Sequence, residues 1–162
     1  MICYDEILKR LKLHEGCVDH VYICPKGYKT IGIGRNLVTN PLTAKEKEVV
    51  KDLNKITVEQ ALFLLKNDVK RCTKDLINNI SFYYQLDDER QYALLDMCFN
   101  MGIKKLLGFK RMLNAMLIGD YRGAAKECLM SKYASDVGVR AKRIAILIET
   151  GIWYERLPQN ER

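Results

Sequence analysis

The sequence predicts a mainly helical α+β fold, with a small lobe built on one hairpin, a long connecting helix and a larger helical lobe. Three observations predict it. Strand-like alternation is convincing only over residues 21–33, a helical apolar spacing runs for about twenty residues from Thr57, and everything beyond Ser81 keeps that helical spacing. Two lobes joined in this way leave a cleft, where sites form. At 162 residues the chain has about one domain's length, enough for a core without disulfides or a metal.

Each element follows from local chemistry. Ile7, Leu8 and Leu11 share one face of a first helix with Asp5 near its start, and the helix is expected to end close to Glu15 and Gly16. Val21-Tyr22-Ile23 and the run from Tyr28 to Ile33 flank Cys24-Pro25-Lys26-Gly27. Pro at the second position and Gly at the fourth suit a type I turn, so a hairpin is expected there. Thr43-Ala-Lys-Glu46 reads as a capping box opening a helix over 44–53, and Thr57-Val-Glu-Gln60 repeats it ahead of Ala61, Leu65, Val69, Cys72 and Leu76. Asp87 or Asp88 caps a further helix through Leu94, Leu95, Cys98 and Phe99 to Gly102. Helices near 109–118 and 121–130 and a last one from about 137 to Gly151 complete the chain.

Composition narrows the function classes. Lys and Arg outnumber Asp and Glu by 27 to 20, a net charge of +7 that favours a polyanionic partner: DNA, an anionic membrane surface or a bacterial cell wall. No recognition-helix, zinc-finger or RNP-type signature accompanies the charge, which argues against nucleic acid. The start of the chain carries charges inside its apolar pattern and does not read as a signal peptide, and no apolar run is long enough to cross a bilayer. A cytoplasmic start, with later release to the wall, is therefore expected. The six cysteines, at 3, 17, 24, 72, 98 and 128, form no C-x-x-C pair and no metal-like grouping with His14 and His20. Free thiols, with no metal and no cofactor, are the expectation.

Glu15, Cys24 and Thr30 form the one suggestive constellation. The acid lies where the first helix gives way to the hairpin, and the other two flank the hairpin turn. A carboxyl group facing a hydroxyl and a thiol suits general acid catalysis with a second group managing water. From these three residues alone, an ordinary surface glutamate, turn cysteine and strand threonine is the stronger reading.

A wider set of motifs reverses that weighting. HEG at 14–16, Tyr22, GYKTIGIG at 27–34, TNPLT at 39–43, ITVEQA at 56–61, FNMG at 99–102, Gly108-Phe109, RAKR at 140–143 and TGIW at 150–153 run in order along the chain. Together they resemble the phage-type lysozymes of the T-even kind, glycoside hydrolase family 24. The resemblance implies a lysozyme-like, two-lobed fold in a single domain over 1–162. Its hairpin lobe would lie at about 13–56, its connecting helix at 57–79 and its helical lobe at 80–162, with the helix at 4–13 packing on the helical lobe.

The resemblance further implies hydrolysis of the β-1,4 bond between N-acetylmuramic acid and N-acetylglucosamine in peptidoglycan, with inversion, by a monomer that a separate pore-forming holin releases for host lysis. Glu15 would be the general acid, Thr30 would hold the attacking water, and Cys24, at a position where relatives more often carry Asp, would orient or deprotonate that water. A thiol titrates near about 8.5, so a thiolate base, a water-positioning thiol and a nucleophile giving retention remain three readings of Cys24. Arg140 matches a family arginine that pairs with the acid, and Asn100 and Phe99 match a segment lining the cleft, although Phe99 equally suits the core. Arg35 stands where relatives often have a histidine paired with the counterpart of Asp68. The alternatives are a weak or inactive peptidoglycan-binding protein and a basic, membrane-active lytic protein without stable insertion.

Overall fold

The periodic run at the start of the chain forms helix α1 (Tyr4–Glu15) in the computed structural model, which describes residues 4–159. Cys3, expected to be a free thiol, lies outside them. Asp5 and Glu6 in the first turn and Lys12 and His14 in the last complement the helix dipole, while Ile7, Leu8 and Leu11 are buried. Gly16, at φ +70°, ends the helix, and its amide donates to the Lys12 carbonyl at 2.9 Å.

The chain divides into two compact units between Arg71 and Cys72. α1 groups with the residues up to Arg71, where the Tyr4 hydroxyl donates to the Lys66 carbonyl at 2.8 Å. The rest of the first unit is built on strands β1 (Val18–Ile23), β2 (Lys29–Gly32) and β3 (Arg35–Asn36), an antiparallel meander in the order β1-β2-β3. Tyr22 pairs with Thr30, and Ile31 with Arg35. The Gly27 amide donates to the Cys24 carbonyl at 2.8 Å and closes the tight turn.

β1 begins ahead of the expected Val21 because its outer side is occupied. The Val21 amide donates to the Leu53 carbonyl, and the Ile56 amide to that of Asp19. A polar stretch thereby becomes strand by pairing with a segment far along the sequence. Helix α2 (Ala44–Val49) stops short of the expected residue 53, because Asp52 folds onto the Asn54 amide and the Leu53 carbonyl is used by β1. Capping boxes open α2 and α3 (Val58–Asn79): Thr43 and Glu46 exchange bonds at 2.9 and 3.3 Å, Thr57 and Gln60 at 2.9 and 3.1 Å.

The second unit is helical. α4 (Asp88–Met101), capped by Asp87, is buried without a break from Tyr92 to Cys98, so it is surrounded on all sides by its neighbours. α5 (Ile103–Leu107), α6 (Lys110–Leu117), α7 (Tyr121–Leu129), α8 (Lys132–Val137) and α9 (Val139–Thr150) follow. α7 lies against α6 and α9, and α9 against α4.

Arg90 ties the two ends of this unit together. Its guanidinium donates to the Ile148 and Glu149 carbonyls at 2.7 and 2.9 Å, which closes the C-terminus of α9, pairs with Asp87, and lies 3.6 Å from the centre of the Tyr121 ring. The Trp153 and Tyr92 rings meet edge to face at 5.1 Å, as do Tyr133 and Phe109 at 6.3 Å. Among the described residues no helix is long and apolar enough to cross a membrane.

Candidate active site

Glu15 is the last residue of α1, where Gly16 releases the chain toward the sheet. Its side chain lies against Gly34: a Cβ placed on that glycine would stand 2.6 Å from Glu15 Oε2. Thr30, in the middle of β2, is only 4% exposed, and its hydroxyl donates to the Tyr28 carbonyl at 3.0 Å. Cys24 begins the turn between β1 and β2, with its amide donating to the Tyr28 carbonyl at 3.0 Å.

Electrostatics tie these groups together. Burial raises the Cys24 thiol, but hydrogen bonds from the Tyr28 backbone, the Thr30 hydroxyl and the Lys26 backbone, together with the Lys26 charge, outweigh it and hold the thiol below its ordinary value. A threonine hydroxyl has one proton, so it serves either the Tyr28 carbonyl or a Cys24 thiolate. The Tyr22 phenol is raised by burial, then by the charges of Cys24 and Glu15, which places it within electrostatic reach of both. Phenol, thiol and hydroxyl thus meet where β1 turns into β2, while the carboxyl group lies against the β2–β3 connection, within electrostatic reach of the phenol.

The same unit holds a buried ion cluster. All five guanidinium N–H groups of Arg35 are engaged: by the Asn40 and Pro41 carbonyls, by both Glu46 oxygens at 3.3 and 2.8 Å, and by Asp68 Oδ1 at 2.7 Å. Asp68 also accepts from Asn40 and Arg71 at 2.8 Å, and Glu46 from Asn67 at 3.0 Å. Burial dominates at Asp68 and holds its carboxyl above the ordinary value despite Arg35 and Arg71. At Glu46 burial is outweighed by the Thr43 backbone, Asn67 and Arg35, and the carboxyl is held below it.

The chain matches the Phage lysozyme family over residues 12–148. It belongs to that family. Two relatives are probable T4-type lysozymes 1 and 2 of Dictyostelium discoideum. The first is 32% identical over 162 residues, covering 91% of this chain and 95% of the relative; the second is 27% identical over 160 residues, covering 87% and 92%. A third, the pre-baseplate central spike protein Gp5 of Enterobacteria phage T4, is 30% identical over 155 residues. There 87% of this chain is covered, and it spans 27% of the spike protein's length.

The remaining candidate residues lie in the second unit. Arg140 opens α9, and its Nε donates at 2.9 Å to Asp96, a carboxylate of α4 with no exposure that also accepts from the Tyr92 hydroxyl at 3.3 Å. Phe99 and Asn100 are half-buried in the last turn of α4, outside the helix's continuous buried stretch. Among the described residues no group of His, Cys, Asp and Glu is arranged to hold a metal ion.

Sequence reasoning alone missed four participants. Tyr22 stands two residues before Cys24, near the end of the strand that leads into the turn. Gly34 is the second glycine of GIG, a spacing that marks a tight turn. Glu46 is legible as a cap but not as the second carboxylate on Arg35. Asp96 lies in an apolar run with no local signal for its partner, Arg140.

Proposed function

We propose that the protein is a muramidase that hydrolyses the β-1,4 bond between N-acetylmuramic acid and N-acetylglucosamine in bacterial peptidoglycan, with inversion at the anomeric carbon. The observation that carries this reading is the Cys24 thiol and Thr30 hydroxyl bonded beside Tyr22, with the Glu15 carboxyl group within electrostatic reach of that phenol, in a chain of the phage lysozyme family.

In this mechanism Glu15 protonates the departing glycosidic oxygen as the bond to the anomeric carbon breaks. Thr30, with its hydroxyl already oriented by the Tyr28 carbonyl, holds a water on the opposite face of the sugar. Cys24, as its thiolate, orients that water and takes its proton, and the lowered thiol keeps more of the group in the thiolate form than in an ordinary cysteine. Asn100 hydrogen-bonds an acetamido group, Phe99 offers an apolar wall, and Arg140 supports the acid. Arg35 and Asp68 act through the backbone that carries the acid's neighbours. The protein works as a monomer, and its charge of +7 concentrates it on the anionic wall. Release of a cytoplasmic store through a holin, leading to host lysis, completes the proposal.

The test is clearing of a suspension of outer-membrane-permeabilised Gram-negative cells by wild type and Glu15→Gln. Loss of a general acid is expected to slow clearing by about a hundredfold to ten-thousandfold. Binding to walls by both proteins with lysis by neither would leave a wall-binding protein. Clearing that survives Glu15→Gln would point to membrane disruption instead.

A further inference from the structure

We propose that Gly34 is a positioning residue for the reaction: its bare Cα is the seat against which the Glu15 carboxyl group is held, and Arg35 locks that seat in place. The inference rests on the reading of Glu15 as the acid. The seat is the connection between β2 and β3, closed by the pairing of Ile31 with Arg35, with glycines at φ +63° (Gly32) and φ +70° (Gly34) on either side of Ile33.

The three atoms nearest to a Cβ at Gly34 all belong to Glu15. That Cβ would stand 2.6 Å from Oε2, 3.0 Å from Cδ and 3.1 Å from Cγ of Glu15, where ordinary contact begins at 3.4 Å. Because the crowding reaches back to Cδ and Cγ, rotating the terminal carboxyl group alone does not clear it. The whole acid arm must move, by about 1 Å to regain ordinary contact distance.

The seat cannot yield in its place. Ile31 and Ile33 are 0% and 2% exposed and pin the connection from the apolar side. Gly32 already approaches Ala61 so closely that a Cβ there would lie 3.3 Å from the alanine's own. The residue after Gly34 is Arg35, whose five N–H groups are all spent on Asn40, Pro41, Glu46 and Asp68. A proton donor must meet the leaving oxygen in line, and a 1 Å misplacement costs on the order of a hundredfold in rate. The buried ion cluster thereby acts on catalysis through one backbone position.

The experiment compares Gly34→Ala with Gly119→Ala. Gly119 has φ +78° and nothing within 4 Å of its would-be Cβ, so it carries the same kind of backbone penalty without a neighbour. Gly34→Ala is expected to lower kcat on peptidoglycan about a hundredfold with KM within about twofold, while Gly119→Ala keeps both near wild type. The Glu15 13Cδ resonance is expected to move in Gly34→Ala and stay in Gly119→Ala.

An unmoved resonance, or equal loss of kcat in the two variants, overturns the seat. A moved resonance in a protein whose wild type cleaves nothing supports the seat and removes only the acid's role. If Gly34→Ala fails to fold, the double variant Glu15→Ala/Gly34→Ala is expected to fold, melting below Glu15→Ala by no more than Gly119→Ala melts below wild type. A double variant that also fails to fold overturns the seat.

Discussion

Arg35→Met removes five donated hydrogen bonds at once and leaves the Glu46 and Asp68 carboxylates, each 2% exposed, without their shared cation. Neither is stripped bare, since Glu46 keeps the Thr43 amide and Asn67 while Asp68 keeps Arg71 and Asn40. Removing one partner from a buried pair costs about 3–5 kcal/mol, a large share of a total stability of about 5–15 kcal/mol. Asp68→Asn alone is expected to cost about 1–3 kcal/mol, and the double variant less than the sum by about 0.5–3 kcal/mol. Urea unfolding followed by circular dichroism reads all three, with the urea dependence unchanged.

The pH dependence of this coupling has a definite sign. A guanidinium does not titrate, so the coupling is expected to be equal at about pH 6 and about pH 8. Glu46, held below the ordinary carboxylate value, contributes stability that is present above that value and is lost as pH falls through its depressed one. Asp68 acts in the opposite sense. Its raised carboxyl binds its proton more tightly when folded, so its share is present in acid and declines as pH rises through the raised value. Additive losses in the cycle, or an Arg35→Met cost below about 1 kcal/mol, would refute the reasoning.

Two further predictions concern thiols and the helical unit. Iodoacetamide near neutral pH is expected to alkylate Cys24 faster in the folded protein than in the urea-unfolded chain, because the folded thiol is held below its ordinary value. Cys128, buried and pushed up to about 12, should remain unmodified until unfolding, and equal rates for folded and unfolded Cys24 by mass mapping would contradict the assignment. Arg90→Ala opens the C-terminus of α9 and removes the stack on Tyr121, so it should destabilise the protein by about 2–4 kcal/mol. A loss below about 1 kcal/mol in urea would show that the carbonyls of Ile148 and Glu149 find other partners.

The parts of the fold legible in sequence are those decided within four or five residues. Pro25 and Gly27 specify the hairpin turn, and Thr43 with Glu46 and Thr57 with Gln60 specify two helix starts, because each uses only its own neighbours' amides. The start of β1 was not legible, since Asp19 and Val21 become strand by bonding to the distant 53–56 segment. α5 and α8, of five and six residues, are too short to display a helical period. At the site, Glu15, Cys24 and Thr30 stood out by residue type and spacing. The contact of Glu15 with Gly34 and the bond of Arg140 to Asp96 join elements that only tertiary packing brings together, and a glycine has no side chain to announce what lies above it.

Products released from purified peptidoglycan, reduced with borohydride and sized by mass spectrometry, test the central claim most directly. Muramidase cleavage gives fragments ending in reduced N-acetylmuramic acid, formed by wild type and absent with Glu15→Gln. Fragments ending in reduced N-acetylglucosamine, release of peptides alone, or the same products at the same rate from Glu15→Gln would contradict it.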